Sequence, residues 1–104
     1  MERLLVKHIV GRLLLDTAAS GCPFRLEEDA GRWTVTVSGV PETALREIER
    51  CRDELNLFHF VPGPDGETIR KYWLYDTGSP GWSAEGDCLK LTVDSRVPYS
   101  NDKV

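Results

Sequence analysis

The chain has 104 residues, of which 29% are charged and 40% hydrophobic, with a formal net charge of −4. That is the length of one domain, residues 1–104, with enough apolar material for a core and too much for general disorder. The acidic balance excludes a nucleic-acid binder that works through clustered Lys and Arg, disfavours acidic partners generally, and tolerates a basic one; no apolar run is long enough to span a membrane.

Residues 2–19 predict a helix. Leu4, Leu5, Ile9, Leu13 and Leu14 fall near a helical period, with Val6, Val10, Leu15 and Ala18 widening the stripe. Gly11 weakens it, and a competing reading makes residues 4–10 a strand followed by a short helix. Ser20-Gly21-Cys22-Pro23 is a stop. Residues 24–28 and 33–38 predict a β-hairpin around Asp29-Ala30-Gly31, with Trp33, Val35 and Val37 on one face and Thr34, Thr36 and Ser38 on the other. Pro41 opens a helix over residues 41–56, whose buried stripe is Leu45, Ile48, Cys51 and Leu55. Its polar face offers Glu42–Arg46 and Arg50–Glu54 pairs. Residues 57–61 and 69–75 predict a second hairpin about the turn Pro62-Gly63-Pro64-Asp65-Gly66. Residues 77–86 predict a loop, residues 89–93 a last strand and residues 94–104 a frayed tail. The fold class that follows is α+β in two layers: an antiparallel sheet of about five strands with two helices mainly on one face, in the order α-β-β-α-β-β-β.

Cys22, Cys51 and Cys88 are odd in number and widely spaced, which suits neither a disulfide framework nor a zinc site. Reduced thiols in a cytoplasmic protein are expected. Ala19-Ser20-Gly21-Cys22 resembles the cleavage box of bacterial lipoproteins. The segment before it is broken by Lys7, His8 and Arg12, and its apolar runs, such as Leu13-Leu14-Leu15, are short for a signal peptide.

Asp-Thr occurs twice, in Leu14-Leu15-Asp16-Thr17-Ala18-Ala19 and in Leu74-Tyr75-Asp76-Thr77-Gly78-Ser79. The second resembles the active-site turn of pepsin-type and retroviral aspartic proteases. That resemblance implies a homodimer in which two Asp76 carboxyls share a proton and activate water. It covers a few residues only. Ala18 stands where the first copy needs Gly, and the helix over residues 41–56 is foreign to those β proteins. An Asp closing a strand before a Gly turn is ordinary turn chemistry. His8 and His59 pair with no cysteine in any local signature. No catalytic residue, metal ligand or cofactor is nominated.

The remaining signal is aromatic. Phe58, Phe60, Tyr72, Trp73, Tyr75 and Trp82 fall within 25 residues. Ile69, Trp73 and Tyr75 point to one face of their strand, Tyr72 and Leu74 to the other, so both faces of the second hairpin carry apolar bulk. The loop, with Trp82 as its lid, covers one of them, or a partner does. Tyr72, Trp73, Tyr75 and Trp82 are the candidate binding residues. The function expected is a non-enzymatic protein-interaction or regulatory domain meeting a protein partner or a second copy, the twofold homodimer being the commoner contact. A small-molecule-binding module, marked by a deep pocket among those aromatics, stands second. A dimeric aspartic hydrolase using Asp76 stands third.

Overall fold

The computed structural model describes residues 2–65 and 67–99. Nine strands and two short helices occur among them: β1 (Arg3–His8), β2 (Leu13–Asp16), α1 (Thr17–Ser20), β3 (Phe24–Asp29), β4 (Arg32–Val37), α2 (Glu42–Arg50), β5 (Leu55–Pro62), β6 (Ile69–Tyr75), β7 (Gly81–Glu85), β8 (Cys88–Val93) and β9 (Ser95–Tyr99). They form two antiparallel sheets, one in the order β2-β1-β5-β6-β9 and the other β3-β4-β8-β7. The expected α+β fold, with helices covering one sheet, is therefore wrong. The second layer is another sheet, and the protein is mostly β.

The core explains why. Leu4, Val6, Leu15, Leu57 and Leu74 from the five-stranded sheet meet Val35, Val37, Leu89, Leu91 and Val93 from the four-stranded sheet in a single apolar cluster. Nine of these ten are wholly buried, and Leu15 is 3% exposed. Face-to-face sheets with alternating inward residues are the sandwich solution. Ile48 of α2 and Val40 before it close one part of this cluster.

The expected first helix is a hairpin, β1–β2, followed by the single turn α1. Leu4 and Val6 alternate into the core, which is a strand's period of two. The outward positions hold Leu5 and, on β2, Leu13, so apolar residues on both faces imitate a helical stripe. Gly11, at φ +94°, turns the chain, and the His8 N–H donates to the Arg12 carbonyl at 2.8 Å. Asp16 then caps α1 by accepting from the Ala18 and Ala19 N–H groups at 3.0 and 3.3 Å, and Gly21 ends it in the left-handed region.

The β3–β4 hairpin lies where expected. Its two-residue turn, Ala30-Gly31, has φ of 53° and 81°, the primed geometry that follows a sheet's twist. α2 stops at Arg50, six residues short of the expected end. Leu55 and Asn56 instead begin β5, opposite His8 and Lys7, and the Ile9 N–H donates to the Glu54 carbonyl at 3.0 Å. With the helix cut short, Arg50 pairs with Glu47 at 3.2 Å and Glu54 lies 3.7 Å from His8, while the Glu42–Arg46 pair forms as expected at 2.7 Å. The expected loop contains β7. The expected tail contains β9, and Asp94 is the corner at which the chain leaves β8 in one sheet and enters β9 in the other. Gly66 of the second hairpin's turn and residues 100–104 of the tail lie outside the described residues.

The strand orders carry a symmetry. Exchanging each of β1–β4 with the strand four later leaves both β2-β1-β5-β6 and β3-β4-β8-β7 unchanged except in direction. Each half is a hairpin in the five-stranded sheet, then a hairpin in the four-stranded sheet. An Asp-Thr pair lies at each passage between the two, at Asp16-Thr17 and Asp76-Thr77. β9 has no counterpart, and it widens one sheet by a strand.

Candidate interaction surface

The outward face of the five-stranded sheet is built from alternate residues of its strands. One row runs Leu5, Phe58, Trp73, Val97, and the next runs Arg3, Phe60, Lys71, Tyr99. The alternate rows, which begin with the core residues Leu4 and Val6, point inward. On the outward face the Trp73 and Tyr75 rings stack at 4.3 Å between centroids, and Phe58 meets Tyr99 edge-on at 5.8 Å. The Trp73 Nε1–H donates to Asn56 Oδ1 at 3.1 Å, which fixes the indole. The Lys7 ammonium lies 5.5 Å from the centre of the Phe58 ring. Burial pushes the Tyr99 phenol's pKa up, so that ring stays neutral. Ile69 is 56% exposed, Leu13 51% and Val97 36%.

The four aromatics nominated from sequence are thus divided. Trp73 and Tyr75 share this outward face. Tyr72 points inward, with the Arg96 guanidinium carbon 3.6 Å from its ring centre and His59 6.2 Å away. Trp82 is no loop lid. It lies on β7 opposite the buried Leu91, half-buried and packed on the core, with its Nε1–H buried and without a partner among the described residues. Sequence reasoning missed Leu5, Val97 and Tyr99 because it placed them in a helix and a tail. The alternation of Arg96 and Pro98 with Val97 and Tyr99 was the available signal.

Both Asp-Thr pairs are turn staples. Asp76, its side chain 7% exposed, accepts from the Gly78 N–H at 2.9 Å and faces Arg32 at 3.7 Å. Thr77 is held by Asp94, through its N–H at 3.1 Å and its hydroxyl. In the first copy, Asp16 is engaged by Arg3, and the Thr17 hydroxyl accepts from the buried Leu4 N–H at 2.9 Å.

A cavity of 480 Å³ lies beside α1, lined by Glu2, Thr17, Cys22 and Phe24 among others. Glu2 reaches His59 Nε2 at 2.6 Å, and Phe24 meets the His59 ring edge-on. Burial, and then the charge of Asp87, push the Cys22 thiol up, and it donates to the Gly39 carbonyl at 3.3 Å. A thiol kept protonated is a poor nucleophile. Cys22, Cys51 and Cys88 are all free. Cavities of 240 and 210 Å³ lie elsewhere, and none of these three is lined by Tyr72, Trp73, Tyr75 or Trp82. Among the described residues no three His, Cys, Asp or Glu side chains converge as a metal site, and no helix is long and apolar enough to cross a membrane.

No protein-family model matches the chain, and neither a curated protein nor a solved structure does.

Proposed function

We propose that the protein is a non-enzymatic interaction domain and that the outward face of its five-stranded sheet contacts another protein. The observation that carries this reading is the outward aromatic and aliphatic face made by Leu5, Phe58, Trp73, Tyr75, Val97 and Tyr99, with Ile69 at its margin. Antiparallel sandwiches usually turn polar residues outward, as β4 does here with Thr34 and Thr36. A contiguous apolar face is the exception that marks contact sites, and Trp and Tyr are the residues most often found at their energetic centres.

A second copy suits the face less well than a different protein. The sheet's outward positions hold Arg3, Lys7 and Lys71 against one acid, Asp16, which Arg3 already engages; Arg70 and Arg96 lie on the inward rows. Joining two such faces would gather cations without carboxylates. The test is a photo-crosslinking residue placed at Val97 and, as a control, at Thr36 on the outward side of the other sheet. Adducts with other proteins are expected from position 97 and not from 36. Adducts from position 36 alone, or from neither, would overturn the reading.

A further inference from the structure

We infer that the partner presents an acidic segment bearing an apolar side chain, seated in the cleft between Arg3, Phe60, Pro62, Ile69 and Lys71; this rests on the interaction reading above. The cleft encloses 240 Å³ at one margin of the outward face. Its apolar side is Phe60, Pro62 and the 56% exposed Ile69; of its two cations Arg3 is engaged by Asp16, and Lys71 makes no ion pair among the described residues. The volume suits one large aliphatic or aromatic side chain, and Lys71 suits a carboxylate beside it.

Charge selects the occupant. The chain as a whole is −4, yet the outward positions of this sheet hold Arg3, Lys7 and Lys71 and one acid, Asp16, which Arg3 engages. Lys7 and Lys71 make no ion pair among the described residues. In register Lys71 stands opposite Phe60 on one side and Tyr99, a neutral phenol, on the other. Covering the two lysines with a neutral or basic surface would desolvate them without compensation, whereas carboxylates would turn that cost into attraction. An extended anionic membrane is a poorer match, because the acidic remainder of the protein would be repelled by it.

The full chain is panned against a displayed random dodecapeptide library, and capture of the enriched peptides is compared in wild type, Lys71→Glu, Ile69→Asp and Val97→Asp, each checked for an unchanged melting transition. Enriched peptides are expected to be acidic with one large apolar residue. Capture should fall about tenfold in both Lys71→Glu and Ile69→Asp, and weaken as salt is raised. Peptides that depend on Val97 but not on Lys71 or Ile69, or that are neutral or basic, would overturn the acidic-segment inference and leave the interaction reading standing. An absence of any peptide sensitive to the three substitutions would count against both. Lys71-dependent pelleting with phosphatidylserine vesicles, without peptide capture, would replace the protein segment by a lipid surface.

Discussion

A single carboxylate, Asp16, joins three elements. It ends β2, caps α1 and accepts from Arg3 of β1, the Nε–H at 2.9 Å. The Arg3 guanidinium, helped by the Ala19 and Ala18 N–H groups, holds its pKa below the usual carboxylate value against the opposite pull of burial. A carboxylate depressed in the folded state contributes stability that is fully present above its unfolded pKa, near about 4, and lost as pH falls through the folded value. Asp16→Asn keeps an acceptor for the cap and removes the charge. The stability gap between wild type and Asp16→Asn, measured by urea unfolding, should therefore be constant near neutrality and close as pH drops below about 4. A gap that persists unchanged at low pH would mean that the charge of Asp16 is not what matters. The sequence holds this residue in plain sight, twice over, since Asp-Thr recurs. What it does not reveal is that Arg3, thirteen positions earlier, is the partner, because that requires the hairpin.

At the scale of elements, legibility followed how cleanly each strand separates its two faces. β4 alternates Val with Thr, and β8 places Leu89, Leu91 and Val93 at every second position; both are readable from sequence. β1 and β2 are apolar on both faces and read as helix. β9 carries Pro98, tolerable because this is an edge strand, and reads as tail. β7 has one strong strand former, Trp82, among Gly, Ser, Ala and Glu, and reads as loop. For α2 the apolar spacing was right and its length was not. Pairing of Leu55 with His8 outweighs one and a half further helical turns. Ile48 is nevertheless wholly buried in the sandwich core. Ile48→Ala should cost about 2–5 kcal/mol in chemical denaturation, and a loss under about 1 kcal/mol would remove α2 from the core. Trp82 makes a sharper test of β7. A loop lid could be cut back with the fold intact, whereas a strand residue beside Leu91 and packed against the core could not. Trp82→Ala should lose about 3 kcal/mol by the same measurement.

For the whole molecule, the error lay in what covers the sheet. Two helices and five strands could be counted from sequence, but a helix over residues 2–19 left too few strands for a second layer. Restoring β1, β2, β7 and β9 supplies it, and the two sheets then bury one another. The outward aromatic face is the consequence: neither α1 nor α2 contributes to the rows that hold Phe58 and Trp73, so nothing in the two described helices replaces the cover expected there. Net charge is not spread evenly over the molecule. A value of −4 disfavours acidic partners only if charge is spread evenly, and the five-stranded sheet carries the opposite sign. That segregation makes an unusual prediction about self-association. An apolar face favours pairing of two copies, while Lys7 and Lys71, which make no ion pair among the described residues, oppose it, and only the second effect is screened by salt. Sedimentation at micromolar concentration should therefore give an 11.7 kDa monomer at low ionic strength. Self-association should strengthen, not weaken, as sodium chloride is raised towards about 1 M, where screening reaches only about 3 Å. Val97→Asp should abolish the salt-induced species by placing a carboxylate in the middle row of the face. A dimer already complete at low salt, or one that dissociates on adding salt, would mean that the lysines do not guard this surface.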